Sequence, residues 1–81
     1  MRLDKFLKVS RLIKRRTVAN EVCEQARVFV NNNPAKPAKQ LKVGDEISIE
    51  YASKTVRAKV LVIPKGNVSV NDAPSLYELL S

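Results

Sequence analysis

The apolar residues change period near residue 27. Before it, Leu3, Phe6 and Leu7 fall at i, i+3 and i+4, and Val18, Ala19, Val22, Cys23 and Ala26 make a second stripe at helical spacing. After it, Ile47 and Ile49 alternate against Glu46, Ser48 and Glu50, and Val56, Ala58, Val60 and Val62 alternate against Arg57, Lys59 and Leu61. This switch from helical to strand period separates two N-terminal helices from the strands that follow. That order predicts an α+β fold, with two N-terminal helices packed on a small antiparallel sheet.

The punctuation refines this layout. Arg2, Lys5 and Lys8 lie off the apolar face of the first helix, and residues 10–16 read as a connector or helical turn pinned by Leu12 and Ile13. Thr17 is the expected cap of the second helix. A full capping box would need Glu or Gln at position 20, where Asn20 stands. Arg27 follows at the C-terminal end, where a cation suits the helix dipole. "RVFV" predicts a short strand and "NNNPAKPAKQ" a loop. Val43-Gly44-Asp45 and Ala52-Ser53-Lys54 are expected turns, residues 64–67 a break, and residues 68–71 a further short strand. The tail predicts a short helix capped by Asp72 or Ser75, with Leu76, Tyr77, Leu79 and Leu80 on its apolar side.

The side-chain inventory argues against catalysis. There is no His, one Cys and two Gly, and the carboxylates are scattered. Asp45 and Glu46 are adjacent, so in a strand they point to opposite faces and make no acid–base pair. One cysteine allows no internal disulfide and, without histidine, makes a poor zinc ligand set. We therefore expect no enzyme, no metal and no cofactor. No apolar run has the length of a signal peptide or a membrane span, which predicts a cytoplasmic protein without a membrane partner.

The net charge is +7, and its placement is uneven. Residues 1–16 hold seven cations (Arg2, Lys5, Lys8, Arg11, Lys14, Arg15 and Arg16) and one acid, Asp4, whereas residues 17–81 hold eight bases and seven acids. The densest part, "SRLIKRR", runs into the start of the second helix, where the dipole favours acids by about 0.3–1 kcal/mol each. A bound phosphate would reverse that penalty, accepting hydrogen bonds from free backbone N–H groups and pairing with guanidinium forks. The expected partner is thus a polyanion. Phe6 is expected in the core, while Phe29 fits either face of its strand. Aromatics are too few for a single-strand stacking platform, and acids on the second helix disfavour major-groove reading. Folded RNA fits best. A DNA-binding, nucleoid-type module and an adaptor that docks a protein through the C-terminal helix are the alternatives.

"RLDKFL", then "SRLIKRRTVANEVCEQARVFVNN", then "AKPAKQLKVGDEISI" resembles the small RNA-binding domain named after ribosomal protein S4, over about residues 1–51. The resemblance implies an RNA-binding domain at residues 1–63 and a C-terminal extension with a short helix at residues 64–81. The opening is most similar to the freestanding, heat-shock-like members that serve bacterial ribosome quality control. Those imply a monomer that binds rRNA of the large ribosomal subunit and peptidyl-tRNA, and that helps the factor RqcH add alanine tails to stalled chains. The family pattern turns Arg2, Lys5, Arg11, Lys14, Arg15 and Arg16 toward RNA, with Arg27 and Lys36 nearby. Lys8 and Thr17 complete the candidate RNA-binding set. Asp4 is expected to orient Arg2 or a neighbour rather than to meet phosphate. Two positions depart from the family: Ala26, where Gly is usual, and Asn32, where Gly is common. A positive φ at Ala26 would cost about 1 kcal/mol, whereas Asn tolerates that geometry.

Overall fold

The computed structural model describes residues 1–66 and 68–80. Asn67, the last residue of the predicted break, and Ser81, the last of the tail, lie outside the described residues. Helix α1 spans Leu3–Val9 and helix α2 spans Arg16–Glu24. Leu3, Phe6 and Leu7 are fully buried, so the predicted stripe on α1 is its core face. The start of α1 is closed by a distant loop: the Leu3 N–H donates to the Lys39 carbonyl at 2.8 Å and the Asp4 N–H to the Pro37 carbonyl at 3.1 Å. These bonds satisfy donors that a helix start otherwise leaves free.

Five strands form one antiparallel sheet: β1 Val28–Val30, β2 Asn33–Pro34, β3 Glu46–Glu50, β4 Thr55–Val60 and β5 Tyr77–Leu79, in the order β2-β1-β3-β4-β5. Val28 faces Ile49 and Val30 faces Ile47, which sets the strand apolar residues in register on one side. Val28, Val30, Ile47, Ile49 and Val60 share a single core with Leu3, Phe6, Leu7, Ile13, Ala19 and Cys23. The other side carries Phe29 opposite Ser48, and Glu46 opposite Lys59. Phe29 is thus on the outer face and half-buried.

Several local expectations change. Thr17 is not the cap of α2; the cap lies two residues earlier at Arg15, and no cap side chain bonds to the N–H groups of the first turn. The buried stripe of α2 is narrower than its apolar pattern, because so short a helix meets the core only through Ala19 and Cys23 with Val22 half-buried; Val18 and Ala26 are exposed. The Asn-rich loop contains a hairpin. Asn31 and Asn32 both have positive φ (52° and 70°), the geometry of a tight two-residue turn whose twist matches paired strands, and Val30 pairs with Asn33 across it. Gly44, at φ 95°, makes the turn before β3 as predicted. Residues 68–71 form no strand. The tail makes a single 3-10 turn at Ala73–Leu76, which buries Ala73 and Leu76, and then pairs with β4 as β5. The predicted continuous helix is therefore replaced by a turn and a strand, and Leu79 is exposed rather than part of a helical apolar side.

Ala26 has φ 58°, the left-handed conformation that the family's Gly would adopt freely. It closes α2 with paired bonds: the Ala26 N–H donates to the Cys23 carbonyl and the Arg27 N–H to the Val22 carbonyl, both at 3.0 Å. The chain needs this reversal to turn from α2 into β1, so it keeps the conformation and bears the cost of the Cβ. Ala26→Gly is expected to raise stability by about 1 kcal/mol, read as a higher midpoint in urea denaturation; a lower midpoint would show that the Ala26 methyl packs productively.

Candidate nucleic-acid interface

The cationic surface is organised around one carboxylate. Asp4 flanks the α1 core stripe and is 2% exposed, with Arg16 and Asn20 of α2 beside it. The Arg2 Nε donates to Asp4 Oδ1 at 3.2 Å and its guanidinium end to Oδ2 at 3.3 Å. From α2, Arg16 reaches Oδ1 at 3.4 Å and the Asn20 amide reaches Oδ2 at 3.4 Å. Burial by itself would push the Asp4 carboxyl up. The Asn20 hydrogen bond, the Arg16 hydrogen bond and charge, and the Arg2 charge outweigh it, and the carboxyl sits below its ordinary value. Asp4 is therefore an anion, and both arginines keep nearly half of their side-chain surface open to solvent.

Asp4 thus holds Arg2 and a second cation, Arg16. The entrance of α2 is not wholly without an internal counter-charge, because α1 supplies one. A single carboxylate is shared by two guanidinium groups, so the cluster retains excess positive charge. Among the described residues, no carboxylate lies within ion-pair distance of Lys5, Lys8, Arg11, Lys14, Arg15, Arg27 or Lys36. The first intrahelical bond of α2 runs from the Ala19 N–H to the Arg15 carbonyl at 3.0 Å. The N–H groups of Arg16, Thr17 and Val18 thus precede the ladder. Thr17 lines a shallow open hollow with Asp4, Arg16, Asn20 and Glu21.

The remaining candidates separate. Lys8 and Arg11 share a groove with Val9 and Val68, at the far end of α1. Arg11 has φ 63°, an unfavourable conformation for a residue with a Cβ, and its N–H closes the helix on the Lys8 carbonyl at 3.0 Å. Lys36 borders a small hollow with Cys23, Ala26, Pro34 and Ala35, and a second one with Lys39, Asn31 and Asn33. Lys5, Lys14, Arg15 and Arg27 are exposed outside these three groups. Two members were not legible from sequence. Asn20 looked like a failed capping box, and its role as an Asp4 partner has no local signal. Lys39 is brought beside Lys36 by the fold of the loop. Cys23 is buried and its thiol is pushed up to about 11 by that burial and by the nearby charges of Asp4 and Glu24, so it is protonated and inert.

Comparison with known proteins identifies the family. Residues 1–47 match the S4 domain. The chain is 53% identical over 79 residues to the RQC P-site tRNA stabilizing factor of Halalkalibacterium halodurans, covering 98% of this chain and 89% of the relative. It is 48% identical over 81 residues to the protein of that name in Streptococcus pneumoniae, covering 100% of this chain and 91% of the relative. The structure of trimeric Heat Shock Protein 15 from Vibrio cholerae superposes with a TM-score of 0.89 at 27% identity, covering 100% of this chain and 82% of that one. With the S4 model matching more than half of its length and relatives near half identity along almost all of it, this chain belongs to the S4 domain family and, within it, to the family of the RQC P-site tRNA stabilizing factors.

Proposed function

We propose that this chain is a non-enzymatic RNA-binding factor of the large ribosomal subunit, which binds rRNA and P-site tRNA and supports alanine tailing of stalled nascent chains in the cytoplasm, together with RqcH. The near full-length identity to RQC P-site tRNA stabilizing factors supports the quality-control role. The observation that carries the RNA-binding reading is the Asp4 centre: two arginines from different parts of the chain are held by one buried anion with their guanidinium groups half in solvent. Guanidinium groups fixed in this way meet phosphate with less ordering cost than free side chains. Arg11, Lys14, Arg15, Lys5 and Lys8 supply further positive charge on either side, and Thr17 lies beside free N–H groups of α2. Arg27, Lys36 and Lys39 extend the basic surface toward the far end of α2.

Affinity from about four to six phosphate contacts gives a slope of log K against log salt of roughly −3 to −5. A slope near zero contradicts binding through phosphates. Crosslinking in cells, followed by sequencing of the attached RNA, is expected to return large-subunit rRNA together with tRNA. Recovery of DNA, or of RNA without preference, contradicts the assignment.

A further inference from the structure

The two edges of the sheet are built differently. At one edge, β2 has two residues and one is Pro34, which has no N–H to offer. At the other edge, β5 has neither proline nor lysine. Its hydrogen-bond phase against β4 follows from two bonds: the Leu61 N–H donates to the Leu76 carbonyl at 2.8 Å and the Leu80 N–H to the Arg57 carbonyl at 2.9 Å. In an antiparallel pair the bonded positions alternate. Leu76, Glu78 and Leu80 therefore face β4, and the backbone N–H and C=O groups of Tyr77 and Leu79 face away from the sheet.

The side chains along this edge carry a pattern as well. On the outer face, Glu46 of β3 stands opposite Lys59 of β4, which stands opposite Glu78 of β5. The charges alternate across the sheet and end at the free edge on a carboxylate. On the core side, Ile47 stands opposite Ala58, which stands opposite Leu79. Leu79 ends that apolar row and is 59% exposed. The next strand in this lattice would carry a cation against Glu78, with apolar residues on either side of it against Tyr77 and Leu79.

We propose that the β5 edge is a docking site for an extended segment of another protein with an apolar–basic–apolar pattern, added as a sixth antiparallel strand. A second copy of this chain is a poor occupant, because antiparallel pairing of β5 with itself centred on Glu78 sets carboxylate against carboxylate. RNA is a poor occupant, since it has no strand backbone and Glu78 repels phosphate. This site lies on the sheet edge and uses none of the cationic side chains proposed to meet RNA, so its test is independent of the RNA-binding reading.

The test uses the full chain and two synthetic peptides, Ac-VTVKVTV-NH₂ and Ac-VTVEVTV-NH₂, at ionic strength near 0.15 M, with amide hydrogen exchange followed residue by residue. The basic peptide is expected to protect the Tyr77 and Leu79 amides saturably and to bind about threefold better than the acidic one. That preference runs against the net charge of the chain, +7, which favours the acidic peptide in any unspecific association. Glu78→Lys is expected to move the basic-to-acidic preference about tenfold toward the acidic peptide. No protection at Tyr77 and Leu79 with either peptide overturns the proposal. So does equal protection by both, an unchanged preference in Glu78→Lys, or protection that depends on protein concentration in the absence of peptide, which would assign the edge to a second copy.

Discussion

Replacing Asp4 by Asn is expected to weaken RNA binding about tenfold even though it makes the protein more cationic. The substitution keeps the shape of the side chain and removes its charge. Arg2 and Arg16 then lose their shared anchor, and each long side chain must be ordered on binding at a cost of about 0.5–1.5 kcal/mol. A surface that bound RNA by charge count alone would gain affinity from the same change, so the sign of the effect separates positioning from bulk attraction. Stability is expected to fall by about 1–2 kcal/mol, the range for lost charge-assisted hydrogen bonds whose partners stay half exposed. In a domain of this size that lowers Tm by roughly 5–15 °C. The pH dependence follows from the direction of the Asp4 shift. Its carboxyl is held below its ordinary value in the fold, so its contribution is present above about pH 4 and is lost as pH falls through the lower native value. The stability gap between the native chain and Asp4→Asn is therefore expected to close in acid. A gap that persists unchanged to pH 2 contradicts the ionised centre.

Removing cations that have no ion-pair partner among the described residues should lower RNA affinity strongly while leaving the fold intact. The triple variant Arg11→Gly, Lys14→Ala, Arg15→Ala takes away three exposed positive charges. Affinity at about 0.1 M salt is expected to fall on the order of a hundredfold, and the salt slope to become shallower by about 2 to 3. Stability is expected to hold or rise. Glycine relieves the left-handed backbone at position 11, and loss of the Arg15 charge removes an unfavourable interaction with the α2 dipole of about 0.3–1 kcal/mol. Circular dichroism melting and fluorescence anisotropy with folded RNA check the two halves. Unfolding of the variant, or an unchanged salt slope, would show that these side chains serve the structure instead.

The paired outcomes matter because the residues are close in sequence and differ in what they touch. Arg15 and Arg16 are neighbours, but among the described residues Arg15 has no ion-pair partner, whereas Arg16 is bound to Asp4. Charge density along "SRLIKRR" marked the whole run as a candidate polyanion surface. It carried no information on which cation has an internal partner, because that partner is twelve residues away and reaches Arg16 only when α1 and α2 pack together. The left-handed turns were easier to anticipate. At Ala26 and Asn32 the family's glycines signalled a backbone requirement, and positive φ is found at both positions. Arg11 has the same geometry without such a signal.

The sequence alone determined the change from two N-terminal helices to the strands after residue 27, the identity of the α1 core face, the turn at Gly44 and the crowding of positive charge before α2. Each of these depends on residues within a few positions of one another, where steric preference and periodicity act directly. Tertiary structure decided the rest. It buried Asp4 between Arg2, Arg16 and Asn20, and it turned the tail from a predicted helix into a strand. "SLYELL" has helix-forming residues, but the open edge of β4 offers backbone hydrogen bonds in register, and Leu76 finds a place in the core. Those gains exist only once the sheet is present, so no local reading of the tail could include them.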